Sequence, residues 1–193
     1  AIFESCMLGT GIVKGPFNSF KRIHKWTMNE NGEKVYTPFE KLVPRIEYVS
    51  LWDFHPDPSA TSIEDCEYVI QRHRMNRQQL RALINRPYFY KDAIEECLAK
   101  GPNYEDKYYE DTIREDDTEP YYQENRFEVL EYWGVIDKKH AEEVGMQDLQ
   151  NVSELDQIQV NVWVCGGMIV RCVLNPFMPA RIPYQAFPYE TNP

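Results

Sequence analysis

The chain has 193 residues, 42% of them hydrophobic and 27% charged, with five cysteines and a formal net charge of −10. That composition excludes disorder throughout and suits one sizeable core or two small subdomains. The charge argues against tight, sequence-independent wrapping of DNA, which needs lysine and arginine against phosphates.

The acidity is concentrated. Between Tyr104 and Glu119 there are eight acidic and two basic residues, a net of −6, so the rest of the chain carries only about −4. That remainder includes basic clusters at Lys21, Arg22 and Lys25 and at Arg72, Arg74 and Arg77, from which a passing contact with a polyanion is expected. The cysteines Cys6, Cys66, Cys97, Cys165 and Cys172 are odd in number and form no CxxC pair. They read as reduced thiols filling small core positions. No run reaches the roughly 18 apolar residues that span a bilayer, so no membrane partner is expected. Asn151-Val152-Ser153 matches a glycosylation sequon and is read as chance.

In chain order, Ala1 to Leu8 reads as the last turns of a helix stopped by Gly9, followed by a strand over Ile12 to Lys14. GTGIVKG looks like a phosphate loop but lacks the GK[ST] ending. Its order of helix, glycines, strand also leaves no helix N-terminus facing an anion, so the glycines read as a tight reversal. Phe20 to Met28 and Glu33 to Tyr36 read as strands joined across Asn29-Glu30-Asn31-Gly32, whose Asn and Gly tolerate positive φ. Arg45 to Phe54 continues the β region until Pro56 and Pro58 force an extended corner.

Past the corner, Thr61 with Glu64 and Ser62 with Asp65 have capping-box spacing and predict one short helical turn. Tyr68 to Met75 has the composition of a half-buried strand. Asn76 and Gln79 form a further capping-box pair, before a helix whose apolar face is Leu80, Leu83 and Ile84. A second helix is predicted over Asp92 to Lys100, closed by Gly101-Pro102, and the acidic tract from Asn103 to Asn125 reads as a solvated loop.

Arg126 to Ile136 is a strand in which Phe127, Val129, Glu131 and Trp133 alternate with Glu128, Leu130 and Tyr132. A polar helical stretch is expected within Lys138 to Gln150. Two extended runs around Gly166-Gly167 then form a hairpin that places Cys165 and Cys172 where they face each other. Beyond Leu174 the prolines exclude a helix or a central strand. The chain starts without Met inside a helix-like run and ends on Asn192-Pro193, which reads as a fragment of a longer protein. The segments divide at 1–54, 55–102, 103–125 and 126–193, and the fold class is α+β, rich in antiparallel strands and hairpins, with several short helices.

Chemistry is sparse. His24, His55, His73 and His140 have no partner at diagnostic spacing. One alternative places His55, Asp57 and Glu64 around a metal in a hydrolase; another makes Tyr104 to Glu119 an acidic module for a basic partner. There is no GxSxG, HExxH or Walker motif.

Three blocks, ESCMLGTGIVKGPF, WDFHPDPSATSIEDCEYVIQRHRMNRQQL, and FEVLEYWGVID with the VNVWVCGGMIVRC hairpin and the NPFMPARIPYQAF tail, resemble in this order the portal proteins of tailed bacteriophages. The likeness is to the large type found in short-tailed phages. It rests on Gly9 to Pro16, Asp57 to Val69 and Glu131 to Gly134. It implies a non-enzymatic subunit of a closed ring, a dodecamer at one capsid vertex, which passes double-stranded DNA and docks terminase, capsid and tail adaptor proteins. Residues 1–193 would be a piece of such a subunit, mainly its β-rich wing, in the virion after assembly in the host cytoplasm. The family brings no catalytic residue, cofactor or metal. Charge alone nominates Lys21, Arg22, Lys25, Arg72, Arg74 and Arg77 as the DNA-facing residues.

Overall fold

Helix α1 (Ile2–Leu8) ends where its sequence says it should, at Gly9 in the left-handed conformation with φ 82°. The computed structural model describes residues 1–28, 32–105, 125–146, 149 and 157–189. It divides into one unit of Ala1–Val49 with Pro183–Pro193 and another of Ser50–Ile182.

In the first unit, β1 (Thr10–Met28) and β2 (Lys34–Val49) pair antiparallel, while β8 (Tyr184–Pro188) adds to the other side of β1 over Thr10 to Lys14. From Phe17 to Met28 the sheet is therefore a two-stranded ribbon. Both ribbon strands are longer than the sequence predicts. No reversal separates Ile12–Lys14 from Phe20–Met28; a register shift between Lys14 and Phe17 absorbs Gly15-Pro16 and the strand runs on. Gly15 has φ 122°, and a Cβ there would lie 2.9 Å from the Arg45 carbonyl oxygen, so the irregularity requires glycine. Strand β2 passes through Pro38 and Pro44, which its edge position tolerates because an edge strand has N–H positions that pair with nothing. It stops at Val49: the β region predicted to reach Phe54 is interrupted by a 3₁₀ turn at Leu51–Asp53. The turn residues Asn29 to Asn31 lie outside the described residues.

Among the described residues, the buried apolar side chains of this unit include Ile12, Val49, Pro183 and Tyr184. The Ser5 hydroxyl donates to the Phe187 carbonyl at 3.0 Å, and the Tyr189 amide donates to the Gly9 carbonyl at 2.8 Å, tying α1 and the turn after it to β8. The proline-rich tail thus contributes an edge strand, the one strand role its prolines permit.

The second unit is built on a five-stranded antiparallel sheet, ordered β3 (Phe54–Pro56), β4 (Tyr68–Met75), β5 (Phe127–Asp137), β6 (Gln157–Cys165), β7 (Met168–Leu174). Asn76 caps α2 (Arg77–Ala82) with the full reciprocal box: its Oδ1 accepts from the Gln79 amide at 2.8 Å, and the Gln79 side chain accepts from the Asn76 amide at 2.9 Å. Helix α3 (Lys91–Lys100) follows, and Leu80, Leu83, Ile94, Cys97 and Leu98 pack with Phe127, Val129, Trp163, Cys165 and Val170. Strand alternation gives the other face Tyr132, Ile136, Ile158, Val160 and Cys172, which pack with Ala141 and Met146 at α4 (Lys138–Glu143). The helix expected to reach Gln150 ends at Glu143. Residues 61–65 form turns and bends, with the Ser62 hydroxyl accepting from the Asp65 amide at 3.3 Å and donating to its carboxylate at 2.8 Å. The α+β, β-rich class stands.

Hairpin β6–β7 forms over Gly166-Gly167, and that two-residue turn pairs Cys165 with Met168; a register shift between Trp163 and Val164 then pairs Cys172 with Val162. The two cysteines therefore do not face each other; they belong to clusters on opposite sides of the sheet.

Candidate functional site

The six nominated basic residues separate once the strands are in register. Alternation in the ribbon puts Lys21 opposite Lys41 and Lys25 opposite Thr37 on one face, all exposed. Arg22 pairs in register with Glu40, on alternate rows, and its side chain lies outside the description. Arg77, in the first turn of α2, is exposed.

Arg72 and Arg74 do other work. Arg72 is 2% exposed, its Nε donates to Asp53 Oδ1 at 3.0 Å and its guanidinium donates to the Trp52 carbonyl at 3.1 Å. Arg74 donates to Asp53 Oδ2 at 3.1 Å. Both guanidinium groups lie 5.9 Å from the Tyr104 ring centre. One carboxylate thus holds two guanidiniums, fixing the 3₁₀ turn before β3 onto β4. Burial leaves Arg72 no face for a phosphate, so the arginine cluster seen in sequence is in good part a clamp within the fold.

The corner carboxylate is likewise spent locally. Asp57 Oδ1 accepts from the Ser59 amide at 2.8 Å and the Ser59 hydroxyl at 2.6 Å, while Oδ2 accepts from the Glu67 amide at 3.4 Å. The Ser59 hydrogen bonds hold its carboxyl below the ordinary aspartate value. An Asp whose oxygens close a turn is poorly placed to ligate a metal, and no group of three or more His, Cys, Asp or Glu side chains among the described residues gathers in a metal-binding arrangement. The reading of His55, Asp57 and Glu64 as a metal site finds no support here. Residues 106–119 of the acidic tract lie outside the described residues.

What sequence reasoning missed is a polar network on the side of the sheet that carries Phe127, Val129 and Trp163. Glu131, 2% exposed, accepts from Trp133 Nε1 at 2.8 Å and Asn161 Nδ2 at 3.2 Å, and its other oxygen lies 2.8 Å from His73 Nε2. Asn161 Oδ1 in turn accepts from Trp163 Nε1 at 3.0 Å and the Arg171 guanidinium at 2.9 Å. The His73 ring stacks on Trp163 with centroids 4.9 Å apart, and Arg171 lies over Phe89 at 5.3 Å. Burial pulls the Arg171 guanidinium below its ordinary value, and the Glu131 charge opposes that shift. Donors and acceptors from β4, β5, β6 and β7 meet here, joining four strands by side chains as well as by their ladders. The one signal in sequence was an acid on the apolar alternation of Arg126 to Ile136.

All five cysteines are unbridged, with Cys6 exposed and Cys97, Cys165 and Cys172 buried. Burial pushes the Cys97 and Cys172 thiols up and that of Cys165 up to about 12. Alkylation of the native chain at pH 8 is therefore expected to label Cys6 quickly and these three only on unfolding, as peptide mass spectrometry would show. Rapid native labelling of Cys165 would contradict the packing.

These arrangements define a class first: a strand-built α+β protein whose buried charges are engaged with one another inside the fold. A family model described as phage SU10 portal protein matches residues 24–149, about two thirds of the chain, and the chain belongs to that family. It is thus a portal protein, a structural component of the bacteriophage virion. No curated protein matches it. The matched residues contain the proline corner and the EYWG strand of the resemblance; Gly9 to Pro16 and the β6–β7 hairpin lie outside them. No helix among the described residues is long and apolar enough to cross a membrane.

Proposed function

We propose that this chain is a subunit of a closed portal ring of about twelve copies at one capsid vertex, related by rotation through heterologous contacts. The ring forms the channel through which double-stranded DNA is packaged and ejected, and it docks terminase, capsid and tail adaptor proteins. The family match over residues 24–149 carries this reading.

The ribbon supports it. On the face opposite Lys21 and Lys25, Trp26 (64% exposed) and Tyr36 (48%) are cross-strand partners, with Tyr36 stacked on His24 at 5.3 Å and edge-on to Trp26 at 5.2 Å, and exposed Leu42 (49%) lies three rows along, past Arg22/Glu40. Two strands bury neither of their faces, so this aromatic surface is left for a neighbour. A neighbouring copy is the occupant a ring supplies.

Native mass spectrometry with negative-stain microscopy of the full-length protein tests the proposal. A ring with a central hole supports it, and a chain that remains a compact monomer or dimer overturns it. With Trp26→Asp and Tyr36→Asp combined, assembly should weaken about a hundredfold or more, since each exposed aromatic anchor contributes on the order of 2 kcal/mol to an interface. Unchanged circular dichroism would show that the loss is one of association.

A further inference from the structure

The other face of the ribbon has a charge pattern that the fold itself does not use. Its paired rows run Ser19/Val43, Lys21/Lys41, Ile23/Phe39, Lys25/Thr37 and Thr27/Val35. They carry three lysines and no carboxylate, in a chain whose net charge is −10. Glu40 belongs to the alternate rows, and Glu33 and Glu47 lie beyond the two ends of the run. Lys21 and Lys41 stand directly opposite each other, a like-charge cross-strand pair that disfavours the ladder unless an anion lies between or above the ammonium groups. Beyond the Ile23/Phe39 row, beside Lys25, the hydroxyls of Thr27 and Thr37 are 2.9 Å apart, giving the same face neutral hydrogen-bonding groups.

We infer that this face, Lys21, Lys25 and Lys41 with Thr27 and Thr37, is a contact for the phosphate backbone of duplex DNA. Charge complementarity selects the polyanion, and the portal reading selects duplex DNA among polyanions. Four residues of strand separate Lys21 from Lys25, about 13 Å, and Lys41 lies about 5 Å across from Lys21. The ammonium groups thus line a strip as long as about two phosphate steps, on a two-stranded ribbon narrow enough to follow a groove of B-form DNA. Lysine point charges on flexible stems read no sequence, as a contact to moving DNA requires. Three such contacts are few, so the interaction is weak, salt-sensitive and quickly exchanged.

The test is binding of a 30-base-pair duplex to the full chain by fluorescence anisotropy across a salt series, for the wild type and for K21E/K25E/K41E. Each sample is weighed in parallel by native mass spectrometry. The wild type should bind with a log–log salt slope that the triple variant makes shallower by about 3, with affinity at low salt down at least about tenfold. K21Q/K25Q/K41Q should give the same change in slope with less loss of affinity. R77E, an exposed arginine on another element, should leave the slope within about one unit. Absence of wild-type binding at low salt, or an unchanged slope in both triple variants, overturns the inference. Polyglutamate of matched length that competes as well as duplex DNA overturns the choice of partner. A full-length wild type that forms rings without lysine-dependent DNA binding refutes this face alone, whereas one that forms no ring refutes the proposed ring.

Discussion

Glu131→Ala is expected to be the most damaging single change in the chain, lowering stability by about 3–5 kcal/mol. The alanine would leave Trp133 Nε1 and His73 Nε2 facing a cavity where a carboxylate now accepts, and would strip Asn161 Nδ2 of one of its two acceptors, the other being the Tyr132 carbonyl at 3.3 Å. Asn161, whose Oδ1 serves Trp163 and Arg171, would then be held by the Tyr132 carbonyl alone. Removing one partner of a buried polar group costs far more than the net contribution of making the bond, because the others stay dehydrated and unpaired. Glu131→Gln keeps the volume and one acceptor oxygen, and should lose less than half as much. Urea denaturation of both variants decides it. Equal losses would mean that the charge dominates, and losses under about 1 kcal/mol in both would mean that the network is not formed.

Gly134→Ala should cost about 3 kcal/mol through overpacking, a fall in melting temperature of about 10 °C for a chain of this size. Gly134 pairs with Tyr68 across β4–β5, and a Cβ there would lie 2.7 Å from the Glu67 carbonyl oxygen, the Tyr132 hydroxyl and the Tyr68 Cβ. Tyr132 can swing away, at the cost of its hydrogen bond to the Val135 carbonyl and its stacking on Tyr68. The Glu67 carbonyl is backbone, so relief requires β4 to part from β5 at that end. Thermal melts followed by circular dichroism measure the shift, and an unchanged melting temperature would show the strand to be free to move there.

Features set by neighbours in sequence were legible. The Asn76–Gln79 box, the Gly9 stop and the hairpin over Gly166-Gly167 each depend on a few adjacent residues, and each is where the pattern puts it. Features set by distant partners were not. Arg72 and Arg74 read as solvent-facing cations because Asp53 lies 19 and 21 residues away, and the sequence does not say that a 3₁₀ turn brings it back. His73 meets Glu131 across 58 residues. The two-residue turn gives Cys165 to Met168, and the shift in β6–β7 moves Cys172 to the other side of the sheet because one extra residue turns every later side chain over. Pro16, Pro38 and Pro44 lie in stretches where no strand is predicted, yet a bulge and an edge position accommodate them within β1 and β2. As for the basic candidates, alternation alone separates Lys21 and Lys25 from Arg22, but only the register brings in Lys41.

The pairing of β8 with β1 makes the first unit discontinuous: its sheet joins Thr10–Lys14 to Tyr184–Pro188, with all of Ser50–Ile182 inserted between β2 and β8. On the ribosome, the β1–β2 ribbon emerges first and waits without its third strand while the five-stranded sheet is synthesised and closes on itself. The contact joining the widest sequence separation is made last, when the loop-closure entropy has already been reduced by a folded insert. The base of the ribbon is therefore completed only after the whole intervening unit has been made, an order of assembly set by the connectivity of the chain.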